Sequence, residues 1–290
     1  MAEIVACGLL AHVPTVMLPE DVRYELNNGE DFTVVDGFRH LRNEILSALD
    51  YDLVVVFDSH WFTTVEFVVT SHQRRSGKYT SDELPRGMSQ VPYDFRGNPA
   101  FAHSVAEHAD QHGTWITAID DPYLPIHYAT VNPLTYLQKG DEAWVSVSCC
   151  QTAETEDFIK AGRAVGDALR KIDGRVLLLA SGALSHKFWP LSQLRDHEAA
   201  DTKHVFSPEH AQADLERIEW FKAGDHARVL ATMDEFLRFK PEANFGHYLM
   251  MAAAMGEDRW TAPGRLLSNY ENSIGTGQVH IWFDRPAQGW

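Results

Sequence analysis

The sequence is short of cysteine, of positive charge and of long apolar runs, and each shortage removes a class of function. Cys7, Cys149 and Cys150 are the only thiols among 290 residues. The number is odd, no CxxC spacing occurs, and neighbouring cysteines on a strand point to opposite faces. Neither a disulfide framework nor a zinc knuckle is expected. Lys and Arg total 25 against 41 Asp and Glu, for a formal net charge of -16. Nucleic acid and anionic membranes both require clustered basic side chains, so neither is an expected partner. No uninterrupted apolar run reaches the length of a membrane span. The N-terminal MAEIVACGLLAHVP has no basic region and is interrupted by His12 and Pro14. It reads as a buried strand, not a signal peptide, and a cytoplasmic protein is expected.

Hydrophobic residues make up 44% of the chain, enough for a substantial core. Short β-branched runs predict buried strands: IVACGLL from Ile4, DLVVVFD from Asp52, VEFVVT from Val65, AWVSVSC from Ala143, RVLLLAS from Arg175 and QVHIWF from Gln278. Helical periods lie between them. Val35, Phe38, Leu41, Ile45 and Leu49 recur at three- or four-residue spacing, as do Phe158, Ile159, Gly162, Val165, Leu169 and Ile172. From Pro208 to Gly256 the pattern is mainly helical, with breaks at Gly224 and Pro241. The residues after VEFVVT predict an antiparallel excursion with a long loop. This alternation predicts an α/β fold: a single layered domain spanning 1–290, with a central mixed sheet and helices on both faces. No repeat, low-complexity linker or shift of composition divides it.

In open α/β sheets ligands bind beyond the carboxyl ends of strands. His12, His60 and His186 each follow a predicted strand closely, and three such histidines in successive units are more suggestive than any one alone. Neutral imidazole ligates a metal when its other nitrogen is held by an acceptor. Asp58, two residues before His60, either serves that purpose or caps its strand. Glu242 opens the apolar run EANFGHYLMMAAAMG, either as a ligand or as a helix-start carboxylate stabilised by the macrodipole. No HExxH, GxSxG or GxxxxGK[ST] occurs, so zincin, α/β-hydrolase and P-loop chemistry lack their signatures. GTGQVH, from Gly275 to His280, lacks the third glycine of a dinucleotide fingerprint and precedes a strand. Its glycines are expected to let backbone approach something closely.

Taken together, AHVPTV with His12, VVVFDSHW with His60, YTSDELP from Tyr79, LLASGALSH with His186, EANFGH with Glu242 and GTGQV near the end resemble the class III extradiol ring-cleavage dioxygenases. These form the LigB-like superfamily, and the match is to its 3,4-dihydroxyphenylacetate (homoprotocatechuate) 2,3-dioxygenase branch. The resemblance spans almost the whole chain. It implies a two-histidine, one-carboxylate Fe(II) site made by His12, His60 and Glu242, with His186 as the acid/base histidine. Tyr128 matches a further active-site position. His127 stands where the family has an acid and Ala129 where it commonly has glycine, so His127 is either a new substrate contact or packing.

The implied reaction is cleavage of a catechol by O2 to a muconic semialdehyde, with 3,4-dihydroxyphenylacetate as the first substrate to consider and no organic cofactor. Lys187, beside His186, either pairs with a substrate carboxylate or points to solvent. The YTSDELP loop either lines the pocket or is solvated surface. Competing readings are the same chemistry on another catechol, an aminophenol or a gallate, a zinc hydrolase using the same ligands, and a binding protein without turnover. The partners implied are a small aromatic diol and O2. The sequence leaves a homo-oligomer open, as it does manganese in place of iron.

Overall fold

The computed structural model describes residues 2–287, so both ends of the expected 1–290 domain lie outside the described residues. In chain order the strands are β1 (Glu3–Leu10), β2 (Leu53–Thr63), β3 (Phe67–Thr70), β4 (Arg74–Tyr79), β5 (Val91–Arg96), β6 (Ile116–Ile119), β7 (Ala143–Cys150), β8 (Arg175–Ser181), β9 (Gly264–Leu266), β10 (Glu271–Ser273), β11 (Thr276–Gln278) and β12 (Ile281–Asp284). The helices are α1 (Glu20–Leu26), α2 (Thr33–His40), α3 (Pro99–Ala109), α4 (Tyr128–Leu137), α5 (Thr155–Leu169), α6 (Pro208–Ala223), α7 (His226–Ala231), α8 (Met233–Phe236) and α9 (Gly246–Met255).

Among the described residues a ten-stranded sheet runs β4-β5-β7-β2-β8-β1-β12-β9, with β3 pairing β6 and β7 off this path. Its centre is parallel: β2 pairs in parallel with β7 and β8, and β8 with β1. The β1–β12, β12–β9, β4–β5 and β3–β7 pairs are antiparallel, so the sheet is mixed. The continuous apolar runs of the central strands follow from burial on both faces. On β2, Leu53, Val55 and Phe57 pack into one core with Phe101 of α3, Val165 of α5 and Leu249 of α9. Val54 and Val56 pack on the other side with Phe38 of α2 and Val131 of α4.

The expected strands form, with one interruption. QVHIWF divides because Val279 and His280 lie between β11 and β12, and His280 turns inward, its Nε2 donating to Val34 O at 2.9 Å. The helix expected through Leu49 begins as α2, widens to a π turn over Leu41–Ile45 and tightens to a 3-10 turn over Leu46–Ala48. Between β3 and β7 lie the β4–β5 hairpin and the YTSDELP loop, the expected excursion. Cys7, Cys149 and Cys150 are buried and free. No helix among the described residues is long and apolar enough to cross a membrane.

Candidate metal and catalytic site

Because β2, β8 and β1 are adjacent and parallel, their carboxyl ends meet at one edge of the sheet. His12 stands two residues beyond β1. His60 sits where β2 slips its register against β7 between Asp58 and Phe62. Asp58 makes that irregularity: its Oδ1 accepts from His60 N at 3.0 Å and Trp61 N at 2.7 Å, and its Oδ2 accepts from Thr130 Oγ1 at 2.7 Å. Of the two roles open to Asp58, the structure gives it the capping one.

The support for His12 comes instead from Ser181, the last residue of β8. Ser181 Oγ donates to Ala129 O at 2.6 Å, and a carbonyl can only accept. The 3.1 Å contact between Ser181 Oγ and His12 Nδ1 therefore has the imidazole donating. Nε2 is left with its lone pair, or an exchangeable proton, toward Glu242, whose Oε1 lies 3.3 Å away. Asn132 Nδ2 donates to His12 O at 2.7 Å and fixes the backbone there.

Glu242 does not open α9; it begins a short turn, Glu242–Phe245, that precedes that helix, so the helix-start alternative does not hold. Ala243, Asn244 and Phe245 follow it at φ 47°, 55° and 63°, and α9 starts only at Gly246. Left-handed backbone costs an L-residue roughly 1–2 kcal/mol. The reversal swings the carboxylate off the α9 axis and back to the end of β8, where Oε2 accepts from Ala183 N at 2.6 Å. Burial pushes this carboxyl up, but His12 and His186 outweigh it and hold it well below the ordinary glutamate range. Burial likewise opposes charge on His12, and Glu242 more than compensates, raising that imidazole.

One nitrogen of His12, one of His60 and one carboxylate oxygen of Glu242 all lie within 4.8 Å of one another, close enough to share an ion. His12 and Glu242 border a cavity of about 170 Å³ that His186, Tyr128, Glu83, Leu84 and Phe188 also line, and His60 adjoins it through the ring of Tyr128. His186 is outside the three-donor group, and burial lowers its imidazole, offset in part by Glu242. The Tyr128 ring lies 3.8 Å from that of His60, centroid to centroid, and its hydroxyl donates to Glu83 Oε2 at 3.2 Å. Burial, reinforced by Glu242 and Glu83, pushes the phenol up and keeps it protonated.

Besides His60, two sequence candidates fall outside the lining. His127 lies 6.0 Å from His60, ring centroid to ring centroid, and nearly parallel to Trp61. Lys187 Nζ lies 3.8 Å over the ring of Phe206, so its charge is directed at an aromatic face instead of the cavity. The YTSDELP loop does line the cavity, through Glu83 and Leu84, as do Thr276 and Gln278 of GTGQVH. Ser181 and Asn132 went unnoticed in the sequence because a serine at a strand end and an asparagine within a helix carry no pattern of their own.

A sheet of this topology, with two imidazoles and a carboxylate gathered at the carboxyl ends of its central strands, has the layout of a metal-dependent enzyme. Residues 6–284 match the family described as the catalytic LigB subunit of aromatic ring-opening dioxygenase, and the chain belongs to that family of ring-cleaving dioxygenases. It is 26% identical over 264 residues to a 3,4-dihydroxyphenylacetate 2,3-dioxygenase of Escherichia coli, covering 90% of this chain and 93% of that one. It is also 26% identical over 262 residues to the beta subunit of a 2-aminophenol 1,6-dioxygenase of Pseudomonas sp, covering 84% and 81%. Among solved structures, an uncharacterized protein of Escherichia coli K12 shares the fold with a TM-score of 0.62 at 15% identity, over 96% of this chain and 99% of that one.

Proposed function

We propose that the chain, acting as one LigB-like domain, opens a catecholic ring beside its diol with O2 at a mononuclear Fe(II) held by His12, His60 and Glu242. The observation that carries this reading is the clustering of three donor atoms within 4.8 Å beside a cavity that His12 and Glu242 line together with His186 and Tyr128. The donor set fits the ion: two neutral nitrogens and one carboxylate are the ligands non-haem iron(II) oxygenases use, and Ser181 already holds His12 in the ligating tautomer. When bound, iron would supply a centre able to take the diol and O2 together and a path for electrons between them.

The chain's own residues handle the protons. His186, kept neutral by burial, accepts a proton from a catechol hydroxyl as the diol binds and returns it as the ring opens. Tyr128, kept protonated, would turn its hydroxyl from Glu83 to donate a hydrogen bond to the reacting oxygens. Both oxygen atoms end in the muconic semialdehyde, so no external reductant is consumed.

Within this class, the cavity favours a catechol with an uncharged substituent. Among the described residues no Lys or Arg lines it, whereas Glu83 does, so the carboxylate of 3,4-dihydroxyphenylacetate would enter without a counter-ion from that lining. The test is to load the protein anaerobically with Fe(II), add a catechol and then air, and follow the yellow ring-opened product. Zinc-loaded protein and 2-aminophenol serve as comparisons. The expected result is iron- and O2-dependent product with kcat/KM higher for 4-methylcatechol than for 3,4-dihydroxyphenylacetate. Absence of O2-dependent product from the iron-loaded protein on every catechol tried would overturn this reading. A preference for the carboxylated substrate would overturn the charge argument alone.

A further inference from the structure

Ser185 immediately precedes His186 and is completely buried. Its N–H donates to Asp214 Oδ1 at 2.9 Å and its hydroxyl to Asp214 Oδ2 at 2.7 Å. Tyr270 donates a third hydrogen bond to Oδ2 at 2.6 Å. Asp214, on α6, is itself fully buried, and the sequence gives no hint of it. Burial pushes its carboxyl up to about 6, while the Ser185 and Tyr270 bonds pull it down, so it is an anion at neutral pH.

The segment around Ser185 joins the two halves of the site. Glu242 N donates to Leu184 O at 3.1 Å, His186 N donates to Lys240 O at 2.9 Å, and Gly277 N donates to Ser185 O at 2.9 Å. Gly277 also explains a glycine of GTGQVH: a Cβ there would fall 2.0 Å from Asp214 Oδ2 and 2.6 Å from the Tyr270 hydroxyl. The chain thus reserves space for a buried carboxylate whose partners include both hydrogen-bond donors of the residue before His186. A carboxylate serving only to anchor α6 would have no need to take both groups of that one residue.

We propose that Asp214 is a positioning residue that fixes Ser185 and, through it, sets the place of the His186 imidazole in the cavity. This rests on the reading of His186 as the proton-transfer group. Replacing the carboxylate substitutes no metal ligand but frees the backbone that carries His186, and a displacement of about 1 Å can cost about 100-fold in turnover.

The test compares Asp214→Asn, Asp214→Ala and Ser185→Ala, alone and combined with His186→Phe. Asparagine keeps the shape, and both hydroxyls can turn to accept from its amide. The expected kcat falls by about 10-fold in D214N and about 100-fold in D214A, with iron content and the catechol KM little changed. In the His186→Phe background neither substitution should add a loss, because both act through the same group. Independently of turnover, the His186 ring cross-peak in carbon–proton NMR spectra of the zinc-loaded protein should move in D214N and S185A, while that of His226 stays. An unmoved His186 signal, full kcat in folded D214N, or a loss that multiplies with H186F would each overturn the proposal. If the Asp214 variants fail to fold, S185A carries the same comparison, since it removes one hydrogen bond only. Absence of ring opening in the unsubstituted protein, with the His186 signal moving as stated, would reject the catalytic reading and retain the positioning one.

Discussion

At the scale of single residues, the site depends on how each imidazole is held as much as on which residues are present. His12 donates from Nδ1 to Ser181 because that hydroxyl has already spent its own proton on Ala129 O. Ser181→Ala should therefore loosen the ring and weaken Fe(II) binding by roughly 10–100-fold, the usual penalty for losing the group behind a metal-binding histidine. Competition against a chromophoric chelator measures it, and an unchanged affinity would remove Ser181 from that role. Alanine at His12, His60 or Glu242 should abolish stoichiometric iron with the circular dichroism of a folded protein retained. Full occupancy in any one of them excludes that residue as a ligand. His186→Phe should keep iron and bind catechol, yet lose roughly 10²–10⁴ in turnover at saturating catechol and O2. Normal turnover would transfer the proton role to Tyr128.

At the scale of elements, the position of Glu242 depends on α9 being held tightly from behind. Gly162 of α5 faces α9, where a Cβ would meet Met250 O at 2.3 Å and the Ala253 Cβ at 2.6 Å. The two helices are in backbone contact, and small residues such as Ala253 and Ala254 complete the seam. Gly162→Ala must push α9 outward against a close-packed core, at a cost of about 1–3 kcal/mol. Urea denaturation would measure that loss, and because α9 follows the left-handed turn after Glu242, iron affinity should fall with it. Equal stability in the variant would show that the seam has slack. The helical period around Gly162 was readable from spacing, since one apolar stripe per helix suffices for that. The left-handed reversal over Ala243–Phe245 was not, because none of those residues is the glycine that normally marks such backbone.

At the scale of the whole molecule, two buried histidines outside the site join distant parts of the chain in their neutral form. His280 donates from Nε2 to Val34 O and accepts at Nδ1 from Ala11 N, beside His12. His226 contacts Tyr248 Oη and Ala262 O with its two nitrogens, each at 2.9 Å. Burial lowers both imidazoles to about 4. A folded value below the unfolded one means that the stabilisation is complete above about pH 6.5 and is lost as pH falls toward 4, on the order of 3 kcal/mol for each. Chemical denaturation should therefore show stability declining across that window. His280→Gln should flatten part of the decline while lowering the stability at pH 7.5. A wild-type stability independent of pH between 6.5 and 4.5 would contradict the neutral assignment.

The sequence by itself determined the layered α/β plan, because continuous β-branched runs and three- or four-residue apolar spacing are local signals that burial on two faces requires. It also placed His12, His60 and His186 near the carboxyl ends of strands, although β2 runs on through His60 to Thr63, and the motifs around them pointed to the family. What tertiary structure decided was which strand ends adjoin. Parallel neighbours β2, β8 and β1 lie far apart in the chain, and only their pairing brings His12 and His60 together with Glu242. The same holds for direction. Lys187 and His127 are adjacent in sequence to His186 and Tyr128, yet they lie outside the cavity lining while His186 and Tyr128 are part of it. Asp58 turned to the backbone and Ser181 to the imidazole because a side chain's partner is set by the strand packed beside it, and that neighbour is not encoded in any local run of residues.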